Sequence, residues 1–341
     1  RLPNGFPRTQ SGVEIVILKK IFTLEEARLA SMMGREYESC REIAAKVNSS
    51  EAKVKLKLKE MRDRGLVWST KVERETEYRL APWVVGIYES QLDSMDHKFA
   101  HLVEEYFAEG GLAGVMRPQP TIHRVIPARG TVKTEWILPY DDVKAILQKM
   151  KTFNVRGCIC RVQQDHLGTR KCNFPVNICL NFSSRKRPSR PGDLSKDEAL
   201  ALLDRAEDLG LVHTVSNVMA GFGYVCNCCG CCCGILRGVN EFGVENGVAR
   251  ANYYSEIDVN SCIGCGVCVG RCQMHAVALS DNIAHVDRRK CIGCGLCATK
   301  CPSGAAQLKR KPESEIVNPP KDFEQWEEER LKDRGLSHKA S

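Results

Sequence analysis

The sequence lacks the features that mark membrane-spanning proteins, exported proteins and nucleotide-binding enzymes. No apolar run approaches the length needed to cross a bilayer, and the N-terminal residues show no charged-then-apolar export pattern. Neither G-x-G-x-x-G after a strand-like segment nor G-x-x-x-x-G-K followed by Ser or Thr occurs, so no dinucleotide or ATP site is signalled. No Ser/His/Asp or Cys/His nucleophile arrangement stands out, and we assign no catalytic residue. We therefore expect a cytoplasmic protein without a membrane span or a nucleotide site.

The composition is that of a folded globular protein. Hydrophobic residues make up 43% of the 341 positions and charged residues 27%, which favours ordinary cores over disorder. The length predicts two or three domains. The formal net charge of +8 suits an acidic protein partner or a nucleic acid. Metal-bound thiolates would lower that charge.

Cysteine is abundant and unevenly placed. The chain has 19 cysteines, an odd number that argues against a disulfide framework in a protein without an export signal. Apart from Cys40, they fall into three groups, at 158–179, 226–233 and 262–301. Clustered thiols in a reducing compartment indicate bound metal. Cys40 stands alone in a helical stretch and is best explained as a buried apolar side chain.

Residues 23–80 are predicted to form three helices followed by a two-stranded hairpin. Thr23 and Glu26 form a capping box at the first helix, and Gly65 ends the third helix. This order resembles a winged helix, which can contact DNA or protein. The third helix offers a basic face that is a candidate phosphate-binding surface or, alternatively, an ordinary solvated face. The basic residues are Lys53, Lys55, Lys57, Lys59, Arg62 and Arg64.

The remaining segments mix helices and strands. Residues 82–115 are predicted to be helical, residues 116–138 extended, and residues 139–153 an amphipathic helix. Ser195 and Glu198 form a second capping box, which predicts a helix followed by a short strand.

Two four-cysteine runs form the most specific motif. CIGCGVCVGRC covers 262–272, CIGCGLCATKCP covers 291–302, and both contain C-x2-C-x2-C-x3-C at an offset of 29 residues. The glycines between the cysteines allow the backbone to approach an inorganic cluster and leave its N–H groups free to bond sulfide. The intervening AVALSDNIAHVD predicts two strands joined by an Asp-Asn turn. Two separated C-x2-C knuckles would suit zinc, whereas these unbroken runs favour iron and sulfide.

The paired runs resemble the bacterial two-cluster ferredoxin domain over residues 253–309. The resemblance implies two [4Fe-4S] clusters, with the fourth cysteine of each run ligating the other cluster. Gln273 replaces the proline that the family places after the first run, whereas Pro302 follows the second run as expected. One implied ligand set is Cys262, Cys265, Cys268 and Cys301, and the other is Cys291, Cys294, Cys297 and Cys272.

Ten further cysteines predict at least one more iron–sulfur cluster, held jointly by the loops at 158–179 and 226–233. Ten thiols could serve two cubanes with two spare, or one cluster of unusual shape. A structural zinc at Cys158, Cys160, Cys172 and Cys179 stays open as an alternative. The two adjacent CCG tripeptides at 228–230 and 232–234 resemble the motif of heterodisulfide reductases, whose clusters are noncubane. The candidate metal ligands are Cys158, Cys160, Cys172, Cys179, Cys226, Cys228, Cys229, Cys231, Cys232 and Cys233, whereas His166, His213, His275 and His285 are expected to be surface or supporting residues.

We predict a multidomain α+β protein with four segments. They are a winged-helix-like domain with a helical extension at 1–115, a cysteine-rich domain at 116–252, a dicluster domain at 253–309 and a polar tail at 310–341. The favoured function is single-electron transfer within an anaerobic oxidoreductase complex, in which the chain is a carrier subunit that contacts other redox subunits. The alternatives are a redox-sensing winged-helix DNA-binding regulator and an iron–sulfur reductase with chemistry at the 158–233 site.

Overall fold

The computed structural model describes residues 2–336, so the last five residues of the predicted tail and Arg1 lie outside the described part. The contacts divide the chain into two compact units. Unit 1 contains the described residues of Arg1–Pro118, Val162–Thr169 and Arg330–Ser341, and unit 2 contains Gln119–Arg161 and Arg170–Glu329. Every cysteine except Cys40 lies in unit 2. The chain is a mixed helix and sheet protein, as predicted.

Unit 1 contains the helices and the hairpin expected over residues 23–80. Both Thr23 with Glu26 and Ser39 with Glu42 form complete capping boxes. A short strand pairs with the hairpin to give a three-stranded antiparallel sheet of order β1-β3-β2. The elements are α1 (Val13–Ile21), α2 (Leu24–Met32), β1 (Glu38–Ser39), α3 (Cys40–Lys46), α4 (Glu51–Asp63), β2 (Val67–Val72), β3 (Glu75–Leu80), α5 (His97–Ala108) and α6 (Gly111–Met116).

The predicted helix over residues 82–115 is regular only from His97 onward. Val85 has a positive φ of 60°, which an α-helix cannot accommodate, so Trp83–Ile87 is irregular. Glu89–Ser94 forms a 3₁₀ segment. Helix α5 does bury Phe99, Val103 and Tyr106, as its apolar stripe predicts.

Unit 2 is built on a six-stranded sheet and the dicluster segment. The sheet has the order β4-β8-β9-β6-β5-β7, with antiparallel neighbours throughout. The dicluster segment adds two two-stranded ribbons, β10-β13 and β11-β12. The elements are β4 (His123–Ile126), α7 (Val143–Gln148), β5 (Thr152–Gly157), β6 (Asn177–Ser183), β7 (Asp193–Leu194), α9 (Lys196–Leu209), β8 (Val212–Ser216), β9 (Tyr224–Cys228), α10 (Gly234–Asn240), β10 (Tyr253–Ile257), α11 (Val267–Arg271), β11 (Val277–Ser280), β12 (Ile283–Val286), α12 (Leu296–Thr299) and β13 (Ala306–Arg310). Two helices, α8 (Ile159–His166) and α13 (Phe323–Asp333), begin in the residues of unit 2 and end in those of unit 1.

Several local predictions in unit 2 are confirmed. Ser195 and Glu198 cap α9, and β8 follows as the expected strand. Asp281 and Asn282 connect β11 and β12 with φ values of 52° and 58°, as a two-residue hairpin turn with right-handed strand twist requires. The helix expected over 139–153 is shorter than predicted, because it begins after Asp142 and β5 already starts at Thr152.

The polar segment from 310 contains a packed helix. Trp326 of α13 is buried, and its indole Nε1 donates a hydrogen bond to the Thr121 carbonyl oxygen at 2.8 Å. Arg330 is buried in unit 1, where it donates to the carbonyl oxygens of Val115 and Pro118. The described part of the segment is therefore structured.

Across residues 2–336, every helix is too short or too polar to cross a membrane.

Candidate metal centres

The first cysteine group of the dicluster segment surrounds one small cavity. Cys262, Cys265 and Cys268 line it from the first run, and Cys301 lines it from the end of the second run. Apolar residues, including Ile257 and Leu279, also line the cavity. Cys265 is exposed, whereas Cys268 is buried. The fold therefore brings the fourth cysteine of one run to the first three of the other.

The second group shows the reciprocal arrangement. Burial raises the pKa of Cys297 to about 11, and the nearby thiolates of Cys291 and Cys272 add to the increase. Burial also raises the pKa of Cys294, with further contributions from Cys297, Cys272 and Cys291. Cys272 thus lies within electrostatic reach of the second run although it ends the first. A positively charged iron core would stabilise the thiolate forms that burial disfavours.

Hydrogen-bond donors point at the sulfurs of both groups. The backbone N–H of Ala276 lies 3.2 Å from Cys272 Sγ, and that of Ala306 lies 3.3 Å from Cys301 Sγ. The hydroxyl of Ser255 lies 3.0 Å from Cys297 Sγ. Donors of this kind stabilise thiolate charge and tune the potential of a bound cluster.

Two glycines sit at equivalent places in the two runs and have no room for a side chain. Gly264 has φ 66°, and a Cβ there would lie 2.4 Å from the Asn282 carbonyl oxygen. Gly293 has φ 73°, and its Cβ would lie 2.3 Å from the Tyr253 carbonyl oxygen. The repeated glycines therefore set the loop conformation on which the cysteine spacing depends.

Outside the dicluster segment, four thiols form a compact group that we call the four-thiol site. The Sγ atoms of Cys172, Cys229, Cys231 and Cys232 all lie within 4.8 Å of one another. Cys172 Sγ is 3.9 Å from Cys229 Sγ and 3.7 Å from Cys232 Sγ, and the Cys231 and Cys232 sulfurs are 3.7 Å apart. Ile178, Ala206 and Leu211 are buried beside it.

The other six thiols form a wider arrangement that we call the six-thiol ring. The pKa values of its members are shifted by hydrogen bonding between neighbouring thiols, in the order Cys158, Cys160, Cys233, Cys228, Cys226, Cys179 and back to Cys158. The Cys228 and Cys233 sulfurs are 3.3 Å apart. Hydrogen bonds from Cys160 and then Cys179 hold the pKa of Cys158 well below its usual range.

The ten thiols predicted to be ligands therefore separate into four and six. Loops 158–179 and 226–233 contribute to both groups, as the sequence suggested they would share a site. The zinc alternative at Cys158, Cys160, Cys172 and Cys179 is not assembled in the described part of the chain, since Cys172 lies with Cys229, Cys231 and Cys232.

The geometry of strand β9 separates the side chains of its cysteines from the side chain of Asn227. Its two-residue period places Cys226 and Cys228 on one face and Asn227 on the other. The Asn227 side chain donates to the Ile178 carbonyl oxygen at 2.5 Å, and its Oδ1 lies 2.6 Å from His213 Nδ1. His213 Nε2 in turn lies 3.1 Å from Glu207. His213 thus supports the strand through hydrogen bonds, in agreement with its expected supporting role.

Arg161 places a buried positive charge among these sulfurs. Its Nη2 donates to the Asn227 carbonyl oxygen at 2.9 Å and its Nη1 donates to the Pro175 carbonyl oxygen at 3.2 Å. Burial alone would lower the pKa of Arg161, but the negative charge of Cys158 and Cys229, with smaller contributions from other thiols, raises it overall. Its buried Nε has no hydrogen-bond partner among the described residues. A donor without an acceptor, beside many thiols, fits an anionic metal–sulfur group.

Gln273 connects the dicluster segment to the four-thiol site. Its Oε1 accepts a hydrogen bond from the Gly230 N–H at 2.8 Å, and its Nε2 donates to the Gly210 carbonyl oxygen at 2.8 Å. Gly230 lies between Cys229 and Cys231, and a Cβ on it would lie 2.1 Å from the Gln273 carbonyl oxygen. Gln273, which replaces the proline of the ferredoxin pattern, therefore links the dicluster segment to the loop of the four-thiol site through hydrogen bonds. We call this link the Gln273 anchor.

Comparison with known families agrees with the geometry of the dicluster segment. Residues 255–308 match the family model described as the 4Fe-4S dicluster domain. No curated protein matches the chain. The match confirms the two-cluster ferredoxin-type domain predicted over 253–309 and supports bound iron–sulfur clusters. The rest of the chain adds a cysteine-rich region to it.

Sequence reasoning missed Arg161, the anchoring role of Gln273 and the division of the ten thiols. The signal for Arg161 was its place directly after Cys158 and Cys160, where a basic residue can neutralise thiolates. The alternation of Cys226 and Cys228 around Asn227 could have indicated that these two share a strand face.

Proposed function

We propose that the protein is an iron–sulfur electron carrier with two [4Fe-4S] clusters in the dicluster segment and a further iron–sulfur cluster at the six-thiol ring. The observation that carries the proposal is the crossed grouping of the eight dicluster cysteines, with Cys301 beside the first run and Cys272 beside the second. A [4Fe-4S] cluster takes up and releases one electron. The chain supplies thiolate ligands, N–H donors to sulfur and burial, which together set the potential.

The six-thiol ring suits a cluster of several metal atoms. Among the described residues, no three of its sulfurs lie within 4.8 Å of one another, so one ion cannot contact the whole ring. Arg161 supplies a positive charge and an unused donor towards these thiols. Together these features support an anionic polynuclear cluster.

Anaerobic purification followed by iron and acid-labile sulfide analysis tests the proposal. We expect about eight of each from the dicluster segment, because two cubanes contain four each, and additional iron and sulfide from the ring. Reduction should give the EPR signals of interacting cubanes. A colourless protein without iron would overturn the assignment.

We further propose that the carrier works in the cytoplasm, within an oxidoreductase complex, and that unit 1 contains a winged-helix domain that docks a partner subunit. The order helix, strand, helix, helix, strand, strand from α2 to β3 supports the winged-helix assignment. Two lysines of α4 and the Arg64 that follows it are in ion pairs, which favours a protein contact over phosphate binding. Lys53 and Lys57 pair with Glu25, and Arg64 pairs with Glu26. Isolation of the native complex from anaerobic cells, followed by mass spectrometry, tests for redox subunits.

A redox-sensing DNA-binding regulator is the second candidate, and the exposed Lys55 and Lys59 of α4 favour it. DNA binding by these residues would fall steeply with salt, because each phosphate contact releases counterions. A Lys55→Glu, Lys59→Glu double variant should then lose DNA binding while retaining its iron. Absence of sequence-preferring DNA binding by the wild-type protein at low salt would exclude this candidate.

A further inference from the structure

We propose that Cys172, Cys229, Cys231 and Cys232 bind a single zinc ion, separate from the iron–sulfur clusters. The site would be structural, and its four ligands would come from two loops that the sequence separates by more than fifty residues. This inference is independent of whether the other centres carry electrons.

The sulfur separations match a mononuclear tetrahedral site. Four thiolates bound tetrahedrally at about 2.3 Å from one zinc ion are separated from one another by about 3.8 Å. The separations from Cys172 to Cys229 and Cys232 are 3.9 and 3.7 Å, and Cys231 to Cys232 is 3.7 Å. The agreement extends to the group as a whole, since all four sulfurs lie within 4.8 Å of one another.

The dicluster segment provides an internal comparison. In a cubane each cysteine binds a different iron corner, so the four thiolates stand farther apart than four thiolates that share one ion. Among residues 2–336, no three of the eight dicluster cysteines have sulfurs that all lie within 4.8 Å of one another. The sulfur–sulfur separations are therefore shorter in the four-thiol site than in the dicluster sites, as expected for four thiolates that bind one ion.

The surroundings are those of a closed structural site. Cys229 and Cys232 are buried, and Cys172 and Cys231 pack against the same apolar group of Ile178, Ala206 and Leu211. Four cysteines complete the coordination of zinc and leave no position for a substrate. Zinc also binds thiolate sites more tightly than iron(II) does. Arg161 lies close enough to Cys229 to offset part of the negative charge of a tetrathiolate.

The ion would fix the loop on which the other centres depend. Cys229 adjoins Cys228 of the six-thiol ring, and the Gly230 N–H donates a hydrogen bond to Gln273 Oε1. Zinc at this position would hold the Cys172 loop against the turn that follows β9. The zinc site would therefore stabilise the loop that lies between the six-thiol ring and the dicluster segment.

Metal analysis of wild-type and variant proteins, all purified anaerobically, tests the proposal. Wild-type protein should contain about one zinc per chain in addition to iron. Cys172→Ser should lose most of the zinc and keep the dicluster iron and sulfide, whereas Cys179→Ser should lose ring iron and keep the zinc. Cys40→Ser, at the one cysteine outside all groups, is the matched control and should keep both metals.

Cobalt(II) exchange into wild-type protein provides a readout that does not depend on a variant folding. Cobalt at the site should give the intense charge-transfer absorption of tetrahedral thiolate coordination, with one cobalt replacing one zinc. Iron-containing wild-type protein without zinc, or loss of iron in place of zinc from Cys172→Ser, would overturn the proposal. Wild-type protein with zinc but without iron would instead overturn the electron-transfer function.

Discussion

Arg161 shows how much a single side chain contributes to these centres. It is fully buried, its bonds go to two carbonyl oxygens, and thiols of both cysteine groups influence its charge. A buried cation is stable only when opposite charge compensates for the loss of water. Here the compensation comes from sulfur.

We predict that Arg161→Ala loses the iron of the six-thiol ring and keeps the dicluster iron. Removing one partner of a buried charge pair should also lower the free energy of unfolding by about 3 kcal/mol. Arg161→Lys, which keeps the charge but not the planar donors, should retain more ring iron than the alanine variant. Iron per chain and thermal unfolding under anaerobic conditions measure both effects. Full iron content in Arg161→Ala would contradict the role of this charge.

Gln273 makes two hydrogen bonds that a proline could not make. We predict that Gln273→Ala lowers the free energy of unfolding by about 2 kcal/mol, because it leaves the Gly230 N–H and the Gly210 carbonyl without partners. Gln273→Glu keeps the acceptor for Gly230 and should cost less. Anaerobic denaturant unfolding gives the comparison, and identical midpoints for the wild-type and alanine proteins would refute the anchor.

At the scale of elements, the conformation of the two dicluster cysteine loops depends on glycine. Gly264 and Gly293 take the same positive-φ conformation in two loops that precede the short helices α11 and α12. At both positions, a Cβ atom would collide with a backbone carbonyl oxygen of another segment. These loops therefore cannot relax around a substitution without moving their cysteines.

We predict that Gly264→Ala disrupts the site formed by Cys262, Cys265, Cys268 and Cys301. The added Cβ would collide with the Asn282 carbonyl oxygen, and positive φ costs about 1 kcal/mol for a non-glycine residue. The variant should lose about half of the dicluster iron, since each of the two clusters holds four atoms. Gly270→Ala is the control, because no atom beyond its chain neighbours and the backbone of its own helix lies within 4 Å of the added Cβ. Equal iron in the two variants would show that this steric argument is wrong.

At the scale of the whole molecule, the two dicluster sites differ in their access to solvent. Cys265 of the first site is exposed, and Val259 and Ile263, which precede it closely in the sequence, are 52% and 65% exposed. The cysteines of the second site are buried or half-buried. The first site is therefore the accessible end for small reagents.

We predict that mild oxidation with ferricyanide damages the first site before the second. Alkylation of released thiols, followed by peptide mass spectrometry, should label Cys262, Cys265 and Cys268 earlier than Cys291, Cys294 and Cys297. Early loss should also produce the EPR signal of a three-iron cluster. The reverse order of labelling would contradict the inference from exposure.

The sequence alone predicted those structural features that are determined by residues close together in the chain. The paired runs identified the dicluster domain, the Asp281-Asn282 turn identified its hairpin, and Ser195 with Glu198 identified α9. Each of these signals lies within a short stretch of chain. Spacing, turn chemistry and capping are all readable at that range.

The remaining features depend on contacts between distant segments. Which thiols join Cys172 and which join Cys179 depends on how β6 and β9 pair in the sheet, a register that composition does not reveal. Trp326 looks like part of a polar tail in the sequence, yet its contact with Thr121 spans about two hundred residues. Long-range pairing therefore determines the division into four and six, whereas the local pattern only predicts that these thiols bind metal.

The pairing of β10 with β13 brings the two ends of the dicluster segment together. Tyr253 pairs with Arg310, so the residues at the two ends of the dicluster segment are neighbours. A stretch of coding sequence with such adjoining ends can be acquired or exchanged as a cassette, because its insertion hardly displaces the flanking chain. A replacement of this segment would also have to preserve the hydrogen bonds of Gln273 with Gly230 and Gly210, which lie far from these ends in the sequence.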